Sequence, residues 1–290
     1  MKYLFFALRP QHWVKNFFIF LPLVFGKKLA VWPYNVNTLL VFFAFSLAAS
    51  VAYLVNDILD VEKDKLHPTK RLRPIASGKV KIRDAYLLAF ILACLSVFSL
   101  YAINPGLGYL VVFYLAANIL YSKILKKIVI VDIFCIGGFF LIRIAVGSIA
   151  ADVVMSYWII FMTFLLALFL GFNKRRQELS LPEKKMADHR SVLLEYNEYY
   201  IDQMIAVVTS SIVIVYMLYT IDARTVKEFG THHFIYTVPF VYYGIFRYLY
   251  VIHKLRKEGD PTRILFIDKS MQINLILWFF VCVGIIYFGL

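Results

Sequence analysis

Long apolar runs separated by short polar breaks dominate the chain, and their lengths settle the architecture before any single residue is considered. A bilayer core about 30 Å thick is crossed by roughly 20 apolar residues in helical form. Runs of that order fall near residues 16–32, 37–55, 84–103, 106–121, 128–150, 153–172, 201–220, 231–250 and 270–290. The pattern predicts an all-α, polytopic membrane protein with nine membrane-spanning helices. The first run is the most interrupted, by Pro22, Gly26, Lys27 and Lys28, and the stretch from Arg9 to Asn16 reads as interfacial before the helix turns in. Nothing between the runs resembles a soluble domain or linker, so residues 1–290 are expected to form one integral membrane domain. No small-residue cleavage site follows the first apolar stretch, and the amino terminus is therefore expected to be retained.

Composition agrees with the pattern. A hydrophobic content of 61%, with 18% aromatic residues and a mean hydropathy of +0.73, is too apolar for a soluble domain of 290 residues. The formal net charge is +13, and the distribution of that charge is more telling than its size. Of the 31 Lys and Arg residues, 26 precede the first run or lie around the loops after runs two, four, six and eight; Lys27, Lys28, Arg224 and Lys227 lie on the other side and Arg143 inside a run. By the positive-inside rule the amino terminus and those loops are cytoplasmic and the carboxyl terminus is outside. The charge thus points to anionic membrane lipids and phosphorylated substrates rather than nucleic acid. Cys94, Cys135 and Cys282 all fall in predicted spans without metal-ligand spacing and read as packing residues.

Two expected cytoplasmic loops are long, about 57–83 and 173–200, and each begins where a run ends in Asn. The first opens Asn56-Asp57-Ile58-Leu59-Asp60-Val61-Glu62-Lys63-Asp64. At helical spacing Asn56, Asp60 and Asp64 fall at i, i+4 and i+8 with Asp57 one step round, a stripe of oxygens about 12 Å long at 1.5 Å rise per residue. Like charges stacked in this way call for a cation between them. Mg²⁺ suits the stripe, because it takes one or two carboxylates and completes its shell with water and phosphate oxygens. Asn56, Asp57, Asp60 and Asp64 are therefore the candidate metal ligands and catalytic residues. His67, Lys70 and Arg71 follow within two turns of Asp64 and are candidates for phosphate oxygens that the metal leaves over. Lys79, Lys81 and Arg83 read as ordinary positive-inside charge.

The second loop places Lys174, Arg175, Arg176 and Glu178 directly at the membrane end, readable either as phosphate binding or as topology, while Lys184, Lys185, Asp188, His189 and Arg190 read as a solvated, lipid-facing charge run. Both long loops would put polar groups at one end of the bundle, so they are expected to face a common cavity. The loop after run four holds Tyr121, Ser122, Lys123, Lys126 and Lys127, where a phenol and cations could hold an anionic headgroup. Asp132 and Arg143 fall inside run five, 11 residues and so about 16 Å apart, too far to pair directly. Each needs its own partner, and for Arg143 a structural salt bridge and a buried anion contact stay equally open.

Asn56-Asp57-x-x-Asp60-x-x-x-Asp64, followed by a basic loop with Arg71 and Pro74 in a nine-span, positive-inside chain, resembles the first aspartate-rich motif of the UbiA superfamily of intramembrane prenyltransferases. The resemblance covers essentially the whole chain. It implies a helical bundle with a cytoplasmic-facing cavity, Mg²⁺ bridging the motif to a diphosphate, and a lateral opening for a lipid chain. Most prenyl-transferring members carry a second Asp-x-x-x-Asp motif after the sixth span, and here that place reads Asn173-Lys174-Arg175-Arg176-Gln177-Glu178. With the opening Leu8-Arg9-Pro10-Gln11-His12-Trp13-Val14-Lys15-Asn16, the chain looks like the decaprenyl-phosphate phosphoribosyltransferase branch, whose members join 5-phosphoribosyl 1-diphosphate to a polyprenyl phosphate and release diphosphate. The resemblance also implies a bacterial inner membrane and a role in cell-envelope glycan precursor synthesis.

On this reading Lys174, Arg175 and Glu178 line the donor side, His67, Lys70 and Arg71 close over the phosphates, and Arg9, Lys15, Asn16, Tyr121 and Lys126 lie near the acceptor phosphate. The alternative is a UbiA-type prenyltransferase that moves a polyprenyl group from its diphosphate to an aromatic or other small acceptor. A transporter is disfavoured, because the polar clusters gather at one mouth and no pair of Gly/Pro-broken spans occupies matching halves. The sequence leaves the oligomeric state open, a homo-oligomer included.

Overall fold

A computed structural model describes residues 2–67, 69–179, 193, 195–255 and 267–289. The charge run Lys184, Lys185, Asp188, His189 and Arg190 lies outside the described residues. Every element among those residues is helical, and eight helices are long and apolar enough to cross a membrane: α1 (Tyr34–Leu59), α2 (Ile82–Ile103), α3 (Pro105–Lys123), α4 (Val131–Ala151), α5 (Tyr157–Leu179), α6 (Glu198–Ile221), α7 (Val238–Leu255) and α8 (Lys269–Phe288). They correspond to the second through ninth expected spans. The first takes another form, a 3₁₀ stretch over Pro10–Phe20 that runs directly into a short α-helix, Leu21–Phe25. Pro22 sits in the first turn of that short helix, where its missing N–H is tolerated, and Gly26 follows its last residue.

The described residues form two compact units, one running to Met155 and the other beginning at Ser156. In the first unit α1 is the central element and packs against α2, α3, α4 and the Pro10–Phe20 stretch. Its most apolar window is 61% buried, against 22% for α2. Small residues make that position possible: Ala44, Ser46, Ala48, Ala49 and Ser50 are all buried, and without bulky side chains neighbouring helices approach closely in an apolar solvent. Phe45, Leu100, Leu107, Val111, Tyr114 and Val146 fill the spaces between. Nearer the carboxylates, a second cluster joins Leu54 and Ile58 to Ile75 and Val80 of the returning loop and to Ala85 of α2. The sharp turn from α2 to α3 is capped by Asn104, whose side chain accepts from the Gly106 N–H at 2.8 Å ahead of a helix with Pro105 in its first turn.

Part of the Pro10–Phe20 stretch lines the interior of this unit. Asn16 and Ile19 are fully buried, and the stretch passes so close to α4 that a Cβ on Gly147 would stand 2.1 Å from the Ile19 carbonyl oxygen. In the second unit α5 packs on α6 and α7 on α8. Phe169 meets Tyr248 at 5.0 Å, and the Tyr216 hydroxyl joins Thr237 at 2.6 Å and Trp278 at 2.9 Å. Asn197 and Asp268 cap the starts of α6 and α8, each accepting a backbone N–H at 2.7 and 2.8 Å respectively.

The Gly147 contact predicts a position-specific cost. Gly147→Ala should destabilise by about 1–3 kcal/mol through overpacking against backbone that cannot rotate away, seen as a lower Tm in detergent. Gly138→Ala on the same helix, where a Cβ would meet nothing within 4 Å, should not.

Candidate active site

The site is built where α1 leaves its apolar stretch. Leu59 is the last residue of α1, and Asp60 adopts φ −100° and ψ 9°, bending the chain into a second helix, Val61–Leu66. The bend keeps the helical connection, since the Asp60 N–H donates to Asn56 O at 3.0 Å and the Asp64 N–H to Asp60 O at 2.8 Å. The expected single stripe is thereby divided into two pairs of oxygens. Asn56 and Asp60 share the Lys126 ammonium, at 3.4 Å from Asn56 Oδ1 and 2.7 and 2.6 Å from the two Asp60 oxygens. Asp57 and Asp64, two helical turns apart, share Arg73 Nη1 at 3.0 and 2.6 Å. Arg9 adds a fork to Asp57, with Nη2 at 2.6 and 2.8 Å from its two oxygens.

Burial explains why the cations are drawn in. Asp57 and Asp64 are 2% and 3% exposed, and a carboxylate so far from water needs compensating charge. Burial pushes the Asp64 carboxyl above the usual carboxylate range, against the Arg73 guanidinium, which pulls it down. Arg9 is held in the left-handed region at φ 53° and ψ 57°, which costs a non-glycine residue on the order of 1–3 kcal/mol. Its guanidinium also stacks over Tyr53 at 5.2 Å. Strain at a side chain that grips the cluster is what a constrained functional residue looks like.

The donor set fits Mg²⁺. Asn56, Asp57, Asp60 and Asp64 offer only hard oxygens, and each pair already converges on one cationic nitrogen. Among the described residues no three His, Cys, Asp or Glu form a complete protein cage.

His67 is buried, and its Nδ1 accepts from the Thr69 and Lys70 N–H groups at 3.2 Å each, shaping the turn that returns Arg73 to the carboxylates. Arg71 is exposed and Lys70 half-buried beside it. Arg9 and Lys126, expected near an acceptor, sit on the carboxylates themselves. Asn16 is enclosed in the bundle, with its carboxamide oxygen accepting from Arg143 at 2.8 Å and its nitrogen donating to Ser46 at 2.8 Å. Lys15 is half-buried, as is Tyr121, whose ring meets Phe139 at 5.6 Å. In the second unit Arg175 is fully buried and pairs with Glu178 one turn on, Lys174 is half-buried, and Arg176 turns to Asp202 at 2.7 Å and Glu198 at 3.0 Å. Arg73, which joins Asp57 to Asp64, is the residue of this cluster that motif reading missed. Its one local signal is Pro74, which confines the preceding residue to extended backbone, here ψ 145°.

A model of the UbiA prenyltransferase family matches residues 18–276. The decaprenyl-phosphate phosphoribosyltransferase of Mycobacterium tuberculosis (strain CDC 1551 / Oshkosh) is 32% identical over 292 residues, covering 98% of this chain and 94% of that protein. The enzyme of the same name from Corynebacterium glutamicum is 31% identical over 289 residues, covering 97% and 86%. Among solved structures, a UbiA homologue from Archaeoglobus fulgidus bound to GPP and Mg²⁺ matches with a TM-score of 0.72 at 19% identity over 99% of both chains.

The environment of Asp64 makes a prediction with a definite sign. A carboxyl whose folded pKa is raised contributes nothing unfavourable below its unfolded pKa, and its unfavourable contribution grows as the pH rises through the folded one. Asp64→Asn is therefore expected to melt no lower than the wild type at pH 7, with any gain shrinking on acidification. A clear drop in Tm at pH 7 would make Asp64 a structural ion-pair partner instead.

Proposed function

Because the chain belongs to the UbiA prenyltransferase family, we propose that it transfers the 5-phosphoribosyl group of 5-phosphoribosyl 1-diphosphate to a polyprenyl phosphate of the decaprenyl type, releasing diphosphate. The observation that carries this reading is the near full-length identity to relatives named decaprenyl-phosphate phosphoribosyltransferases. The charge pattern supports it. A donor with a 5-phosphate and an acceptor with its own phosphate ask for more cations than a single prenyl diphosphate does, and Lys174, Arg175 and Arg176 stand where prenyl-transferring members have the second acidic motif.

Mg²⁺, which the Archaeoglobus fulgidus homologue binds, would be held by Asp60 and Asp64 with Asn56 and Asp57, and would neutralise charge that develops on the departing diphosphate. Arg9, Arg73 and Lys126 exchange carboxylate oxygens for diphosphate oxygens as the donor docks, so that each cation changes partners without losing one. The turn formed by His67, Lys70 and Arg71 closes over the same phosphates. In the second unit, Lys174 and Arg175, the latter paired with Glu178, are assigned to phosphate binding. Lys15 and Tyr121 are assigned to the acceptor phosphate. As the bond from C1 to the diphosphate oxygen breaks, the ribosyl centre takes on oxocarbenium character and the acceptor phosphate oxygen attacks the opposite face with inversion. The acceptor is already ionised at neutral pH, so no protein base is called for. Holding two reactants in attack geometry can supply roughly 7–11 kcal/mol. We further propose, from the Lys and Arg distribution, a bacterial inner membrane with the amino terminus and carboxylate site cytoplasmic and the carboxyl terminus outside. The product then feeds cell-envelope glycan synthesis.

Purified protein given Mg²⁺, polyprenyl phosphate and 5-phosphoribosyl 1-diphosphate should yield a phosphoribosylated lipid by mass spectrometry, and EDTA should abolish it. Asp60→Asn should lower turnover about 10²-fold or more in a protein that still folds. Turnover only with a polyprenyl diphosphate and an aromatic acceptor would replace this reading with that of a prenyltransferase.

A further inference from the structure

Arg143 lies deep in α4, about 18 Å from the start of the helix at 1.5 Å per residue, and is 5% exposed. A cation at such depth is costly and is by default a candidate for function. Its partners are neutral: Asn16 Oδ1 at 2.8 Å, the Phe139 carbonyl at 2.7 Å and the Tyr114 hydroxyl at 3.3 Å. The rings of Phe45, Tyr114 and Phe140 surround it at 5.3, 5.4 and 5.5 Å. Among the described residues no carboxylate pairs with Arg143. What Arg143 grips is the Pro10–Phe20 stretch.

That stretch runs along α1 on a ladder of polar rungs. Asn16 donates to Ser46 at 2.8 Å, Trp13 Nε1 to Ser50 at 3.0 Å, and Arg9 to Asp57 at 2.6 Å. Ser50 in turn donates to the Leu8 carbonyl at 2.9 Å. Because Ser50 meets the carbonyl of Leu8, the backbone entering Arg9 lies beside Ser50, and the Arg9 side chain spans the remaining turns of α1 to Asp57.

We propose that Asn16 and Arg143 are positioning residues for the transfer reaction: they fix the register of Pro10–Phe20 against α1, and the hydrogen bonds of Trp13 and Leu8 to Ser50 carry that register to Arg9, which orients Asp57 for the metal and the donor. The activity readout rests on the phosphoribosyl-transfer reading, but the latch itself can be measured without it.

The test is a double-mutant cycle between Asn16→Ala and Arg9→Ala. It is read both as the Mg²⁺ concentration giving half-maximal turnover and as the Mg²⁺-induced rise in Tm of the detergent-solubilised protein. Asn16→Ala should raise the half-maximal Mg²⁺ concentration about tenfold, as loss of support behind a ligand does, with a smaller change in kcat. The double variant should be no worse than Arg9→Ala alone, because both act through one path. Asn16→Asp, which keeps an oxygen for Arg143, should recover most of the loss. Additive losses, or an Asn16→Asp as impaired as Asn16→Ala, would overturn the proposal. If Asn16→Ala does not fold, Trp13→Phe removes the neighbouring rung and the same non-additivity with Arg9→Ala is expected. A wild type that makes no product yet still gains Tm with Mg²⁺ would sink the phosphoribosyl reading, while the cycle on Tm still decides the latch.

Discussion

Carboxylates at the end of an apolar helix must be neutralised, and the first unit is arranged around that constraint. Asp57 and Asp64 are nearly closed to water, where an unpaired charge would cost several kcal/mol. The cations that meet them and Asp60 come from three separate places: Arg9 before the Pro10–Phe20 stretch, Arg73 in the loop after the acidic segment, and Lys126 beyond α3. Each pairing ties a different part of the chain to the end of α1. The same nitrogens that balance the carboxylates are chemically suited to phosphate oxygens, so neutralisation of the fold and recognition of a substrate draw on one set of groups.

Depth in the membrane separates two kinds of polar residue. At the end of α1 charged groups meet charged groups, and the balance can shift when an anionic ligand and a metal arrive together. Further in, Arg143 is satisfied by an amide, a carbonyl, a hydroxyl and three aromatic faces. Buried away from bulk solvent, such a cluster is held firmly. It is suited to fixing a position rather than to exchanging partners. In the second unit, Arg175 buried against Glu178 joins charge to charge in a way that resembles the first setting more than the second.

Much of the fold was legible before any coordinates, because the bilayer is an undiscriminating solvent. Length and hydropathy alone located eight helices, six of them to within four residues at each end, whereas α5 ends seven residues beyond its apolar run and α7 begins seven residues after the start of its run. The Pro10–Phe20 stretch was not legible in its true form. Its polar residues, His12, Lys15 and Asn16, read as interfacial, and only the serines that α1 presents at positions 46 and 50 let part of it line the interior. Nothing local announces that Ser46 and Asn16 will meet across 30 residues.

The carboxylates were legible because their chemistry is written in spacing along one helix. The sequence by itself determined an all-helical membrane chain, the acidic segment from Asn56 to Asp64 and the surplus of cations around it, since each of these follows from local composition and period. Tertiary structure alone decided which cation meets which carboxylate. The bend at Asp60 split one stripe into two pairs, Arg73 entered from a loop that motif reading passed over, and Arg9 and Lys126 moved from an expected acceptor role onto Asp57 and Asp60. Those pairings depend on distances between segments far apart in the chain, and burial selects among them: a carboxylate shut away from water takes whichever cation the packing of the whole unit can bring to it.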